Sequence, residues 1–493
     1  MLQSEPPGHP RKLYGFYMQY FVVGIVSSAL PATLYGFFLG YLGVSSYVYA
    51  TATQVVSLPW SFKVLFGMIN DCFPLRGLSR KPYMVIGWTL CTLALASIAC
   101  VPMPAQGSKK VGMLSGLMAI AAVGYIIADV AADGLLVEIA KRELDHVRGT
   151  TQTNVYLVRT IGGVVASLLV GLGMNGREYN GTMDRSPLSF TQVCGLLAIP
   201  SAMMIPVSWL YVHETRKPPC SRVVYINDVR GLISKKGMFY LVVYSLAHSS
   251  FGDISTTASG NVTKIWAGVH NLQAQLNGIV GAAIFAGGLV VVKKYLLNYN
   301  WRKIIIGCTI TLIAIDAMFV FCTIFDVVRN QYFYLGEAIV TMVPAAARFM
   351  VTSFVVVEVA PKGQEGLTYG LLTTLHNLGG PVARGISNQV MTIFPGIAQP
   401  ENYIKDTPEF RWLVAWSYIV SYACALLALG LLPLLPSQKA QAKERMQWPA
   451  SKRWLRWTAG ITTTSFVYAL TMNLLAMSSY SCMRIVGGDG CNR

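Results

Sequence analysis

The feature that most restricts this chain is a succession of apolar runs of about 20 residues, each ended by a short polar loop. A run of that length crosses the roughly 30 Å of a bilayer's hydrocarbon core as an α-helix, with every backbone polar group satisfied inside the segment. Only 12% of the 493 residues are charged and 54% are hydrophobic, whereas a soluble domain is about 25% charged. The short alternating segments of a membrane β-barrel are missing from the sequence. The fold class that follows is an all-α polytopic membrane protein.

Spans are predicted near Leu13 to Leu42, Tyr47 to Ile69, Tyr83 to Val101, Val111 to Ile139, Thr150 to Leu172 and Phe190 to Val212. A second set follows near Met238 to Trp266, Leu272 to Val292, Ile304 to Phe325, Tyr332 to Ala360, Leu367 to Ile393 and Trp412 to Leu435. This divides the chain into a six-helix bundle (1–212), a basic cytoplasmic linker (213–237), a second six-helix bundle (238–435) and a tail (436–493). Lys and Arg are about threefold enriched in alternate loops, which places the amino terminus in the cytoplasm. The net charge of +17 is therefore read as a topology signal and as contact with anionic lipid headgroups, with nucleic acid excluded as a partner.

The first run reads as a signal-anchor that stays as the first span. Asn180 and Asn261 head glycosylation tripeptides on the non-cytoplasmic side. In the tail, Lys452, Arg453 and Arg456 with Trp454 and Trp457 open another apolar run. That run is either a thirteenth span or a helix lying on the cytoplasmic face, and if it spans, Cys482 and Cys491 can form a disulfide.

The halves repeat each other at matched positions. Val137 to Ala140 corresponds to Val357 to Ala360, Arg159 with Gly162 and Gly163 to His376 with Gly379 and Gly380, and Arg80 with Lys81 to Arg302 with Lys303. Two six-helix repeats about an axis normal to the membrane describe the major facilitator architecture, in which a solute binds at the midplane and the halves rock around it.

From Pro59 to Tyr83 two spans meet at a short basic loop. The residues Trp60, Lys63, Gly67, Asp71, Pro74, Gly77, Arg80, Lys81 and Tyr83 resemble the pattern that the folate/biopterin transporter family carries there. Ala128, Asp129, Asp133, Val137 and Glu138 resemble that family's fourth span, and Gly149 to Gln152 with Arg159 and Gly162 its fifth. The turn between Asp71 and Gly77 is longer than in the general superfamily signature. The resemblance implies a secondary transporter of folate, biopterin or a related pterin-type solute, with a proton-coupled symporter as the expected mode. Another organic solute such as S-adenosylmethionine, or a nontransporting receptor on the same fold, are the alternatives. A plasma membrane is expected, with an intracellular membrane as the second choice.

Charges within spans cost about 2.5 to 3.5 kcal/mol each at mid-membrane, so they must line an interior cavity. Lys63 is read as a cationic cavity group balanced by Asp129 or Asp133, against a lysine that snorkels to the interface. Asp129 and Asp133 are four residues apart on one helix face, where joint ionisation is disfavoured. A proton-carrying carboxylate and a static pair with Arg159 are both open. Arg159, Arg348 and Arg384 can hold a carboxylate, with a position at a helix end as the alternative for Arg384, and His376 can titrate or pack. Asp253 beside His248 and Asp316 are lesser candidates. Gly67, Asp71, Arg80 and Lys81 are assigned to a conformational latch, and the paired glycines to close helix packing. The six histidines are scattered, and the sequence holds no H-E-x-x-H, cysteine-pair or G-x-S-x-G pattern. Neither an enzyme, a metal nor a cofactor is expected.

Overall fold

In a computed structural model, residues 14–105, 110–140, 150–214, 222–296, 299–359, 365–477 and 482–488 are described, and these form helices, turns and no β-strand. The first half comprises α1 (Tyr14–Leu34), α2 (Ser46–Ser57), α3 (Lys63–Cys72), α4 (Lys81–Cys100), α5 (Val111–Ala140), α6 (Thr150–Gly173) and α7 (Phe190–Leu210). Helix α8 (Arg222–Ile233) lies in the linker. The second half comprises α9 (Lys236–Gly252), α10 (Ser259–Asn261), α11 (Asn271–Tyr295), α12 (Trp301–Ile324), α13 (Gln331–Val340), α14 (Met342–Val359), α15 (Glu365–Val390), α16 (Pro400–Lys405) and α17 (Pro408–Ala428). Helices α18 (Lys439–Met446) and α19 (Lys452–Ala476) form the tail.

Nine helices among the described residues are long and apolar enough to cross a membrane. The second and seventh predicted spans are not continuous. Pro59 cannot donate to the preceding turn, so α2 gives way to a tight 3-10 turn, Leu58–Phe62, before α3. Helix α9 stops at Gly252, and the chain is unwound until α10. Backbone freed by such breaks needs partners at membrane depth. Trp60 O accepts from Asn377, and the Ser255 amide donates to Ser387 Oγ.

Packing repeats between the halves. Helix α1 lies on α6 as α9 lies on α15, and α4 on α7 as α12 on α17. The first and seventh spans both end in π-helical turns, Tyr35–Tyr41 and Val262–Trp266. At Gly162 an added Cβ would lie 2.3 Å from Phe21 O, and at Gly379 2.2 Å from Ser249 Cβ, so both matched glycines serve close approach of helices. One apolar core draws on residues from Phe16 to Val212, and two more on residues from Leu232 to Ala469. The halves meet where α6 packs on α11 and where α2 and α3 pack on α15.

The tail run spans the bundle. The Ser451 amide bonds to Ser234 O at 2.9 Å beside the linker between the halves, while Met477 O lies against Gly112 at the far end of α5. Between them α19 follows α15 and α9, with Phe466 packed edge-on to Phe62 at 4.5 Å. Cys482 is disulfide-bonded, and Cys491 lies outside the described residues. The side chains of 137–140 and 356–360 also lie outside them.

Candidate functional site

The break at Pro59 turns Trp60 and Lys63 into the first bundle. Lys63 Nζ lies 2.8 Å from Asp129 and 2.9 Å from Asp133, one helical turn apart on α5. Arg159 of α6 reaches the other Asp129 oxygen at 3.2 Å, and Tyr20 of α1 donates to Asp133 at 3.0 Å. The Trp60 ring stands 4.7 Å from Lys63 Nζ and 5.4 Å from the Arg159 guanidinium, while its indole N–H donates to Tyr125. Lys63 is thus held inside the bundle rather than snorkelling.

With all four groups ionised this cluster has no net charge. Its two carboxylates differ in surroundings: Asp129 is fully buried between two cations, whereas the Asp133 side chain remains 42% exposed. Neutralising Asp129 strands buried cations, a costly change in low dielectric. Neutralising Asp133 leaves Lys63 paired to Asp129 and gives the cluster one positive charge.

The second half supplies a looser group. The end of α9 places Asp253, which Arg348 of α14 approaches at 3.6 Å, with side chains 41% and 38% exposed. His376 Nδ1 lies 3.3 Å from Ser249 Oγ, and the rings of His248 and Tyr244 are 4.9 Å apart. Arg348, Asp253, His376, His248 and Tyr244 line one cavity. The Val64 amide donates to Thr374 Oγ1 at 3.2 Å, which brings the wall bearing Lys63 against the helix bearing His376.

At the end of the bundle that carries the π-helical turns the halves are tied together. Tyr35 and Asn180 donate to Val269 O, Lys264 to Leu39 O, and Asn388 to Thr51 Oγ1. The Asn180 and Asn261 side-chain amides are engaged in backbone contacts, to Val269 O and Ala398 O, so neither is a free glycan acceptor in this conformation. A separate ionic group lies outside the membrane, where Asp406 accepts from Arg411 at 2.7 Å and Arg329 at 2.6 Å. Partial burial pushes the Asp406 carboxyl up, but these hydrogen bonds outweigh it and hold the group down at about 2.

At the opposite end, between α3 and α4, Arg80 pairs with Asp71 at 2.6 Å, and Glu214 accepts from the backbone of Ser79, Arg80 and Lys81. Lys81 stands 5.4 Å from the Trp209 ring. These contacts all lie within the first half. Gly67 has only Val130 within reach of an added Cβ, at 3.8 Å, whereas a Cβ at Gly134 would lie 2.4 Å from Arg80 Cζ. Gly134, Glu214 and Tyr20 escaped the sequence reading: a glycine, a loop glutamate and a tyrosine in an apolar run carry no local signal. Asp316 accepts from Tyr422 at 2.6 Å and is absent from the cavity lining. Arg384 lies within α15, not at its end.

A family model for the BT1 family matches residues 24–183 and 192–449. The chain is 23% identical over 446 residues to the folate-biopterin transporter of Synechocystis sp., an alignment covering 87% of this chain and 82% of that protein. It is 31% identical over 127 residues to the probable folate-biopterin transporter 4 of Arabidopsis thaliana, which covers 25% of this chain and 24% of the relative. In three dimensions it matches a crystal structure of a point mutant of the nucleoside transporter NupG with a TM-score of 0.63 at 14% identity, over 86% of this chain and 99% of that one. Family and neighbours alike are transporters, not enzymes. A helical bundle of this architecture, matched by that model over most of its length, identifies the chain as a member of the BT1 family within the major facilitator fold.

Proposed function

We propose that this protein carries a folate- or pterin-type solute across the plasma membrane by alternating access, with a proton as the coupling ion. The observation that supports the reading is the asymmetry between Asp129 and Asp133. Asp129 is the fixed counter-charge that keeps Lys63 and Arg159 in the membrane. Asp133, its side chain 42% exposed and shared between Lys63 and Tyr20, is the carboxylate that takes the proton.

When Asp133 is protonated, Lys63 loses one of its two carboxylates and the cluster becomes cationic. An anionic solute then supplies the missing carboxylate, so proton and anion bind together and the loaded site is again neutral. Loss of the proton restores the Lys63–Asp133 pair and displaces the solute. The facing wall, with Tyr244, His248, His376 and Arg348, offers flat rings for a heteroaromatic group and a guanidinium for its polar edge.

Rocking of the halves breaks the non-cytoplasmic bonds from Tyr35, Asn180 and Asn388 and closes the opposite end. Asp71, Arg80 and Lys81, here bonded within one half, are the groups that engage the other half in that second state. Uptake of labelled folate and biopterin by cells lacking their transport tests the reading. Accumulation by the wild type that is lost in both Lys63→Ala and Arg159→Ala is expected. Normal uptake by both variants removes the cluster from the site, and no uptake of either compound by the wild type refutes the solute class.

A further inference from the structure

Arg384 is a cation within a predicted span that has no counter-ion among the described residues. It lies in α15, eight residues and thus about 12 Å along the helix from His376 toward the non-cytoplasmic side. One turn farther on, Asn388 bonds to Thr51 and Ser387 to the Ser255 amide, closing that side. Arg384 therefore sits between the central cavity and the closed gate.

Its Nη2 donates to Ser255 Oγ at 3.1 Å, in the unwound stretch after α9. Nε and Nη1 are sealed from solvent and have no hydrogen-bond partner, and no carboxylate pairs with the guanidinium among the described residues. The carboxylate placed in the same unwound stretch, Asp253, is held by Arg348 instead. Lys63 and Arg159, by contrast, are matched by Asp129, and Lys264 donates to Leu39 O. A guanidinium left with two unbonded, desolvated donors is unfavourable unless an acceptor arrives, and the acceptor that compensates both charge and donors is an anionic oxygen group.

We propose that Arg384 is an anion-recognition residue, which takes a carboxylate of the incoming solute while the non-cytoplasmic gate is open. Closure of the gate, through Asn388 and Thr51, then seals that ion pair away from water. Ser255 orients the guanidinium, and the unbonded Nε and Nη1 are the donors offered to the solute. The residue thereby distinguishes solutes that bear carboxylates from neutral pterins. This assignment rests on the proposed pterin-type solute for its natural ligand, but its chemistry does not.

The test is equilibrium binding to the full-length protein in nanodiscs, with folate, which bears carboxylates, and biopterin, which bears none. Arg384→Gln is expected to weaken folate by ~10-fold or more and to leave biopterin within about twofold, with Arg384→Lys falling between. Equal losses for both compounds make Arg384 a structural strut, and unchanged folate affinity overturns the assignment outright. Should Arg384→Gln fail to fold, Arg384→Lys decides by the same ratio of folate to biopterin losses. If the wild type binds neither compound, the pterin reading fails separately, and glutarate becomes the probe. Its thermal stabilisation of the wild type must then disappear in Arg384→Gln or Arg384→Lys, and a wild type that glutarate does not stabilise, or a shift that persists, overturns the proposal.

Discussion

The ionic groups of the two halves are built differently. In the first half Lys63, Asp129, Asp133 and Arg159 form a closed set at distances of 2.8 to 3.2 Å, backed by Trp60 and Tyr20. In the second half Arg348 and Asp253 face each other at 3.6 Å with two-fifths of each side chain exposed, beside two histidines. The closed set fixes position and charge before a solute arrives, which suits proton exchange at one defined carboxylate. The open set leaves donors and rings free to adapt, which suits contact with a ring system. A repeat that began as a duplication has thus kept its helix packing and diverged in the chemistry of its ionic groups.

Removing the centre of the closed set should have the largest effect. Asp129→Asn leaves Lys63 and Arg159 without their shared counter-charge, and is expected to cost about 3 to 5 kcal/mol, read as a large fall in Tm of the detergent-purified protein. A fall no greater than that of Asp133→Asn would erase the distinction drawn between the two aspartates. Next, Gly134→Ala forces a methyl group into the Arg80 side chain and should cost roughly 1 to 3 kcal/mol while loosening the Arg80–Asp71 pair. Cysteine cross-linking across the cytoplasmic ends reports the second effect, and an unchanged yield would separate Gly134 from the latch.

Asp406 sharpens the comparison, because it centres a tight network in the looser half. Its carboxyl is depressed to about 2, so its stabilisation is complete above the ordinary carboxylate value near 4 and is lost as pH falls through 2. Asp406→Asn should therefore lower Tm at pH 5 to 8 by the equivalent of about 1 to 2 kcal/mol, with the difference from wild type vanishing as pH approaches 2. A difference that grows on acidification contradicts that sign. The smallest effect belongs to Asp253→Asn, expected to cost less than about 1 kcal/mol because the pair is half-solvated, while transport affinity falls by severalfold. A stability loss matching that of Asp129→Asn would mean that the two groups are equally closed.

The sequence carried much of this arrangement where the physics is local or one-dimensional. Apolar length and basic loops located the spans, and the expense of charge in hydrocarbon singled out Lys63, Asp129, Asp133 and Arg159, which the fold then brings into contact. The four-residue spacing of the aspartates put them on one face. What escaped depends on pairs of distant segments. Tyr20 bonds to Asp133 across 113 positions, and Glu214 caps a loop 133 to 135 residues earlier. The break after Gly252 has no proline to announce it, and the spanning path of α19 is set by what touches its two ends. From the sequence Arg384 can equally sit at a helix end, and its place within α15 with its hydrogen bond to Ser255 shows that it lies inside the helix.

The most direct measurement is folate-driven proton movement in proteoliposomes loaded with a pH-sensitive dye, comparing wild type with Asp133→Asn. Adding external folate is expected to acidify the interior with the wild type, and this acidification is expected to be lost in Asp133→Asn while exchange of labelled for unlabelled folate continues. Acidification that survives the substitution would contradict the assignment of Asp133 as the proton-carrying group.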